Sequence, residues 1–369
     1  MKLLRVSLLT VLSLIVISCC SDEHLIDVKA VDLTSIPYDP VRYELLVPDS
    51  FPLFEEPSDN LMTVDGIELG RALFYDPILS KDSTISCASC HLPSGSFTDN
   101  LKVSLGVDNA SGSRSSMSLL NVGFYYNGLF WDGRTRTLEA QALLPIEDPL
   151  EMNTTWPEVI LKLKTSEVYP ELFRKAFGIS TTNGITKENA AKALAQFERS
   201  LVSSGKSNFD KANIGRYIYT PEELLGFKIF FDTDPLLPDG ECFHCHSEPL
   251  ITNNEFMNNG ITEALTFDDF GDDRGLGAVS GVLIDNGKFR TPTLRNIEFT
   301  APYMHDGRFQ TLEEVIEHYN SGGKESIGKD ALLQPLGLNE EHKAALLAFL
   351  KTLNDEDFME NPEYQDPNN

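Results

Sequence analysis

Four of the six cysteines form two Cys-x-x-Cys pairs, Cys87–Cys90 and Cys242–Cys245, and each pair is followed at once by a histidine, His91 and His246. A thiol can add to each vinyl group of a porphyrin, and the adjacent histidine is then placed to bind the iron from one face. Zinc held by two Cys-x-x-Cys pairs is the competing chemistry, but zinc gives no reason for the histidine after each pair. The residues therefore point to two covalently bound haem c groups. With these thiols used, no structural disulfide is left, because Cys19 and Cys20 belong to the N-terminal signal region.

The sixth ligand decides what each iron can do. A filled position favours electron transfer, whereas an open one admits a small substrate. The seven histidines are His24, His91, His244, His246, His305, His318 and His342, and none lies between His91 and His244. The first Cys-x-x-Cys-His unit therefore has no distal histidine of its own, and Met117 and Met152 are the formal alternatives.

The elements that must position these residues read mostly as helices. Apolar residues recur at helical spacing over Val64 to Phe74. Lys187 to Leu201 follows Thr186 as an N-cap. Pro221 to Phe231 begins with Thr-Pro-Glu-Glu. Leu312 to Tyr319 and Asn339 to Leu353 complete the set, and strand signals are short and weak. An internal repeat organises them. Leu69-Gly70 and Leu73-Phe74-Tyr75-Asp76 recur as Leu225-Gly226 and Ile229-Phe230-Phe231-Asp232. Ser118-Leu119 and Asn121 recur as Thr293-Leu294 and Asn296. Trp131-Asp132-Gly133-Arg134 recurs as His305-Asp306-Gly307-Arg308. Blocks in the same order predict a duplicated unit with one haem per copy, divided near residues 203–220.

The ends and the charge bound the rest. Lys2 and Arg5 precede an apolar run, Val6 to Ile17, too short for a comfortable membrane span. It ends at Ile17-Ser18-Cys19, which resembles a bacterial lipoprotein signal acylated at Cys19. The expected organisation is a signal peptide over 1–18 and a Pro-rich tether over 19–60 running extended on the surface. One domain is expected over 61–205 and a second over 206–355. An acidic tail over 356–369, lacking apolar periodicity, is expected to fray or drape over the body. The chain of 369 residues carries a net charge of −26, which excludes a nucleic-acid partner and favours a basic soluble one.

The run Arg290-Thr291-Pro292-Thr293-Leu294-Arg295-Asn296 through Ala301-Pro302-Tyr303-Met304-His305-Asp306-Gly307-Arg308 resembles the bacterial dihaem cytochrome c peroxidases and the related MauG enzymes. Phe130 to Arg134 and Leu144 to Met152 resemble them too, and the similarity covers roughly residues 55 to 353. The resemblance implies an all-α fold of two cytochrome c-like domains whose haems face a shared interface. It also implies an exported, periplasmic enzyme that reduces hydrogen peroxide with electrons from a small cytochrome or copper protein, and it allows a homodimer. In the family the distal ligand of the second haem lies fourteen residues after the histidine of the His-Asp-Gly motif, which here is Tyr319. The family's peroxidases carry methionine there and MauG carries tyrosine; His318 is the rival ligand. The same spacing from Trp131 reaches Pro145, which cannot ligate iron. The family's mobile loop histidine is absent from Gly106-Val107-Asp108-Asn109, so haem one is expected to be open without prior reduction. By resemblance, Glu151 moves the peroxide proton, Gln141 is a distal hydrogen-bonding partner and Trp131 relays charge between the haems. Thr300 and Pro302 match carbonyl ligands of a family calcium ion, but Ser115 replaces its asparagine ligand, which puts calcium in doubt. Two other readings stay open: a MauG-like oxidase of protein side chains, and a plain electron carrier with two six-coordinate haems.

Overall fold

The computed structural model describes residues 29–368; the signal region with Cys19 and Cys20, and the first part of the tether, lie outside the described residues. The fold is mostly α. Among the described residues the longer helices are α1 (Val64–Tyr75), α2 (Leu138–Glu147), α3 (Trp156–Thr165), α4 (Tyr169–Phe177), α5 (Lys187–Ser200), α6 (Pro221–Phe230), α7 (Leu312–Asn320) and α8 (Glu340–Lys351). One antiparallel pair of two-residue strands, Phe256–Met257 with Phe289–Arg290, is the small sheet.

The Thr186 cap expected from the sequence is made, and the Thr-Pro-Glu-Glu start is capped by Thr220. The hydroxyls of Thr63, Thr186, Thr220 and Thr311 each accept a backbone N–H in the first turn of the helix that follows. Helices α2, α3 and α4 were not predicted, because Pro145, Pro157 and Pro170 interrupt the periodic pattern. In α3 and α4 the proline occupies the first turn, where a missing N–H costs nothing. In α2 Pro145 lies inside the helix and leaves the Gln141 carbonyl without its usual partner.

Two helix pairs form the centres of two lobes, and they are built alike. Helix α1 lies against α5, and a Cβ on Gly70 would stand 2.0 Å from the Ala193 carbonyl oxygen. Helix α6 lies against α8, and a Cβ on Gly226 would stand 1.9 Å from the Ala345 oxygen. Only glycine lets the two backbones meet, which explains why Leu-Gly recurs. Phe197 and Phe349 fill the same place beside these glycines, and each is fully buried. Asn121 and Asn296 both adopt left-handed backbone, at φ 61° and 59°, and donate to Leu201 and Leu353 carbonyls.

The lobes meet through reciprocal bonds. The Ser115 N–H donates to the His305 carbonyl at 2.8 Å, and the Arg290 N–H donates to the Trp131 carbonyl at 2.9 Å. Arg114 pairs with Asp132 at 2.7 Å and with Asp273 at 2.6 Å across the same junction. Where the chain passes between lobes, Asp355 accepts from Ser203 and Ser204 and so ties the exit of one lobe to that of the other.

Of the two alternatives for the tail, fraying and draping over the body, the structure shows the second. Residues 356–368 strap back onto the first lobe, and Phe358 and Tyr364 belong to its core, 1% and 7% exposed. Phe358 packs on Phe97, and the Tyr75 hydroxyl donates to the Tyr364 carbonyl at 2.5 Å. Arg71 adds donors to the Gln365 and Pro362 carbonyls, so two buried aromatics and a few hydrogen bonds anchor a segment that has no helical periodicity. Tyr75→Phe should therefore destabilise the holoprotein by about 0.5–1.5 kcal/mol in urea unfolding, the worth of one such bond.

Candidate functional site

Each Cys-x-x-Cys-His motif lines its own cavity. The first, of about 460 Å³, is bordered by Cys87, Cys90, His91, Gln141, Pro145 and Glu151. The second, of about 230 Å³, is bordered by Cys242, Cys245, His246, Asn259, Met304 and Tyr319. The cysteine pairs are thus separated, and among the described residues they form no joint metal-binding group, which removes the zinc alternative. Burial pushes the Cys90 and Cys245 thiols up to about 11, so they are held as thiols rather than thiolates.

Both histidines could serve as ligands through Nε2. The Nδ1 of His91 lies 2.9 Å from the Phe97 carbonyl, and that of His246 lies 3.3 Å from the Ile251 carbonyl. A carbonyl can only accept, so Nδ1 carries the proton and Nε2 keeps its lone pair. Burial holds His91 below the usual histidine range and His246 at about 4, so both rings are neutral. Paired thiols, a neutral imidazole and largely apolar walls fit a covalently attached haem in each cavity.

The distal surroundings differ. The histidine lining the first cavity is His91 itself, together with Met117 and Met152. Glu151 and Gln141 both line it, and among the described residues neither side chain is committed to a hydrogen bond. Burial raises the Glu151 carboxyl above the usual range; Asp148 adds to this and Arg134 opposes it. The segment is held by its backbone, with Val107 N–H donating to the Glu151 carbonyl and Met152 N–H to the Pro145 carbonyl. Gly106 makes this possible, since a Cβ there would lie 2.1 Å from the Leu150 oxygen and 2.6 Å from the Glu151 oxygen. Gly106→Ala should therefore push the Leu150–Glu151 backbone out of place and destabilise the holoprotein by about 1–3 kcal/mol, the usual cost of forcing an extra carbon into filled space; urea unfolding would show it.

In the second cavity Tyr319 faces inward and accepts from Asn259 Nδ2 at 3.3 Å. Burial pushes the phenol up to about 12, while the Asn259 bond draws it down. His318 faces away, its Nε2 engaged with the Asn259 carbonyl at 2.9 Å and its ring against Phe309. Met304 also lines this cavity, 3.4 Å from Asn259 through its sulfur, and sequence reading missed both residues. Thr300, Pro302 and Ser115 border it too, but the Ser115 hydroxyl donates to the Met304 carbonyl at 3.0 Å.

One wall is common to both cavities. Ser115 to Ser118, Tyr125 and Trp131 line each of them, and the Trp131 indole donates to the Ser115 carbonyl at 2.9 Å. Sequence reading also missed Glu198, which borders the first cavity from α5. A charged residue on the buried face of an Ala-rich helix was the available signal.

Comparisons with known proteins point to one family. The family described as di-haem cytochrome c peroxidase matches residues 64–217. The methylamine utilization protein MauG of Methylorubrum extorquens is 35% identical over 307 residues, covering 83% of this chain and 82% of that protein. The cytochrome c551 peroxidase of Nitrosomonas europaea is 34% identical over 290 residues, covering 78% of this chain and 80% of that protein. Among solved structures, a MauG-like protein associated with microbial copper homeostasis superposes with a TM-score of 0.81 at 33% identity, covering 89% of this chain and all of that one. With both haem-attachment motifs seated in adjoining cavities, and relatives this similar along most of their length, the chain belongs to the di-haem cytochrome c peroxidase and MauG family.

Proposed function

We propose that the protein reduces hydrogen peroxide to water in the first cavity, with electrons entering through the second from a small periplasmic cytochrome or copper protein. The observation that carries this reading is the contrast between the cavities. The first offers a second imidazole to no iron and presents Glu151 and Gln141, whereas the second turns the Tyr319 hydroxyl inward. When bound, the haems supply the iron-centred electron transfer that cleaves the peroxide bond. Cys87, Cys90 and His91 would hold one haem, and Cys242, Cys245, His246 and Tyr319 the other. Glu151 takes a proton from one peroxide oxygen and returns it to the other, which leaves as water. Gln141 orients the peroxide, and Trp131 offers an indole between the cavities through which charge passes. We read the lobes as cytochrome c-like domains that arose by duplication.

Periplasmic residence with a lipid anchor at Cys19 fits the lipoprotein-like signal, and the described residues contain no helix long and apolar enough to cross a membrane. Calcium at the Thr300 and Pro302 carbonyls would lack a strong side-chain ligand, since Ser115 offers only a hydroxyl.

Adding peroxide to as-isolated ferric holoprotein, with a reduced small cytochrome c as donor, tests the reading. Sustained donor oxidation without prior reduction of the enzyme is expected; an inert ferric protein with a wholly low-spin spectrum would instead make it an electron carrier. Tyr319 favours a second reading, a MauG-like oxidase of a protein side chain, which predicts peroxide consumption with poor turnover of the small donor. Tyr319→Met should shift the absorption spectrum and raise the potential of the second haem, because a thioether favours ferrous iron more than a phenolate does. An unchanged spectrum would reject Tyr319 as a ligand.

A further inference from the structure

Glu198 is a buried carboxyl to which nothing above gives a task. It is 6% exposed, it borders the cavity of Cys87, Cys90 and His91, and its Oε2 has no hydrogen-bond partner among the described residues. Its neighbour on the helix, Arg199, is engaged elsewhere, with Nη2 on the Glu139 carboxylate at 2.5 Å. Glu139 in turn accepts from Asn60 at 2.6 Å. The carboxyl therefore has no counter-ion of its own. An unpaired buried carboxylate is costly, and evolution usually removes it or neutralises it.

Packing does not require the carboxyl. Helices α5 and α8 stand in register through Ala193 with Ala345 and Phe197 with Phe349, so the counterpart of Glu198 is Leu350. Leu350 borders the second cavity and is 8% exposed. The same architecture thus accepts a plain leucine, and the acid appears only beside the first haem site.

We propose that Glu198 is a positioning residue for protons and charge at the first haem, taking up one proton from solvent when that haem gains an electron and releasing it when the electron leaves. The balance is one electron from the donor and one proton from water, with no bond to Glu198 other than its O–H. Adding an electron removes a positive charge from the cavity, which favours the protonated carboxyl; oxidation favours the carboxylate. The charged groups bearing on Glu198 are Arg199 on its own helix and Glu139 from α2, and its charge is felt in turn at the Cys87 thiol. Burial, opposed by Arg199 and aided by Glu139, pushes the carboxyl up to about 8, within the range where such coupling is seen. This inference needs a haem in the first cavity but not the peroxide reaction, so the two stand or fall separately.

Spectroelectrochemical titration of the first haem in the holoprotein, from about pH 5 to about pH 9, tests it. The wild-type potential should fall with rising pH, approaching roughly 59 mV per unit, a tenfold change in the equilibrium constant for one electron. Glu198→Gln keeps the shape and removes the proton site, and should flatten that slope. A wild-type slope in Glu198→Gln, or a flat profile in the wild type, overturns the proposal. Should glutamine hinder haem attachment, Glu198→Leu, which copies Leu350, carries the same measurement with the same two outcomes.

Discussion

Glu151→Gln is expected to lower kcat/KM for hydrogen peroxide by roughly 10²–10⁴-fold, the usual worth of a positioned acid–base group. Glutamine preserves size and polarity but can neither take the peroxide proton nor hand it on. Haem content and resting spectrum should be unchanged, because the backbone bonds from Val107 and to Asp148 that hold this segment do not involve the side chain. Burial and Asp148 raise the Glu151 carboxyl, with Arg134 opposing them. In the proposed reaction the base form accepts the first proton, so activity should fall as pH drops through this raised value, higher than the ordinary glutamate figure of about 4.3. That acid limb should vanish in the variant. Full activity in haem-replete Glu151→Gln would remove the residue from the reaction.

The second large effect concerns the fold. Arg295 is 1% exposed and holds both oxygens of Asp210, at 2.9 and 2.8 Å, while donating to the Pro249 carbonyl. Burial alone would raise the Asp210 carboxyl; the hydrogen bonds and charge of Arg295, with two weaker contributions from Ser207, outweigh it and hold the carboxyl below its ordinary value. Arg295→Leu strands a buried carboxylate and should destabilise the holoprotein by about 3–5 kcal/mol at neutral pH. The sign with pH follows. A depressed carboxyl contributes stability above its unfolded value of about 3.9, and that contribution is lost as pH falls through the folded value. In the variant the lone carboxyl is protonated more readily, so its deficit should shrink on acidification. Urea unfolding at neutral and acidic pH measures both; equal deficits at the two would refute the pairing as the cause.

Much of the site was legible because its signals are local. Attachment of a porphyrin needs two thiols and an imidazole within five residues, so Cys87 to His91 and Cys242 to His246 announce themselves. The Leu-Gly blocks repeat because each serves the same close contact in each half, as Gly70 and Gly226 show, and the Asp-Gly-Arg blocks share a glycine at positive φ, Gly133 and Gly307. The helices that follow Thr63, Thr186, Thr220 and Thr311 were equally readable from their apolar periodicity or start signal. Helices α2 to α4 were not, because proline is a breaker or a starter according to its place in the first turn.

The sequence by itself determined the attachment chemistry, the absence of a histidine between His91 and His244, and the helical character of the chain. The tertiary structure alone decided which of His318 and Tyr319 turns inward, that Trp131 stands in a wall common to both cavities, that the acidic tail completes the first core, and that Glu198 lies unpaired beside Cys87 rather than in water. The physical reason is range. Covalent and capping preferences act over a few residues, whereas burial and the direction of a side chain depend on elements that approach from far along the chain.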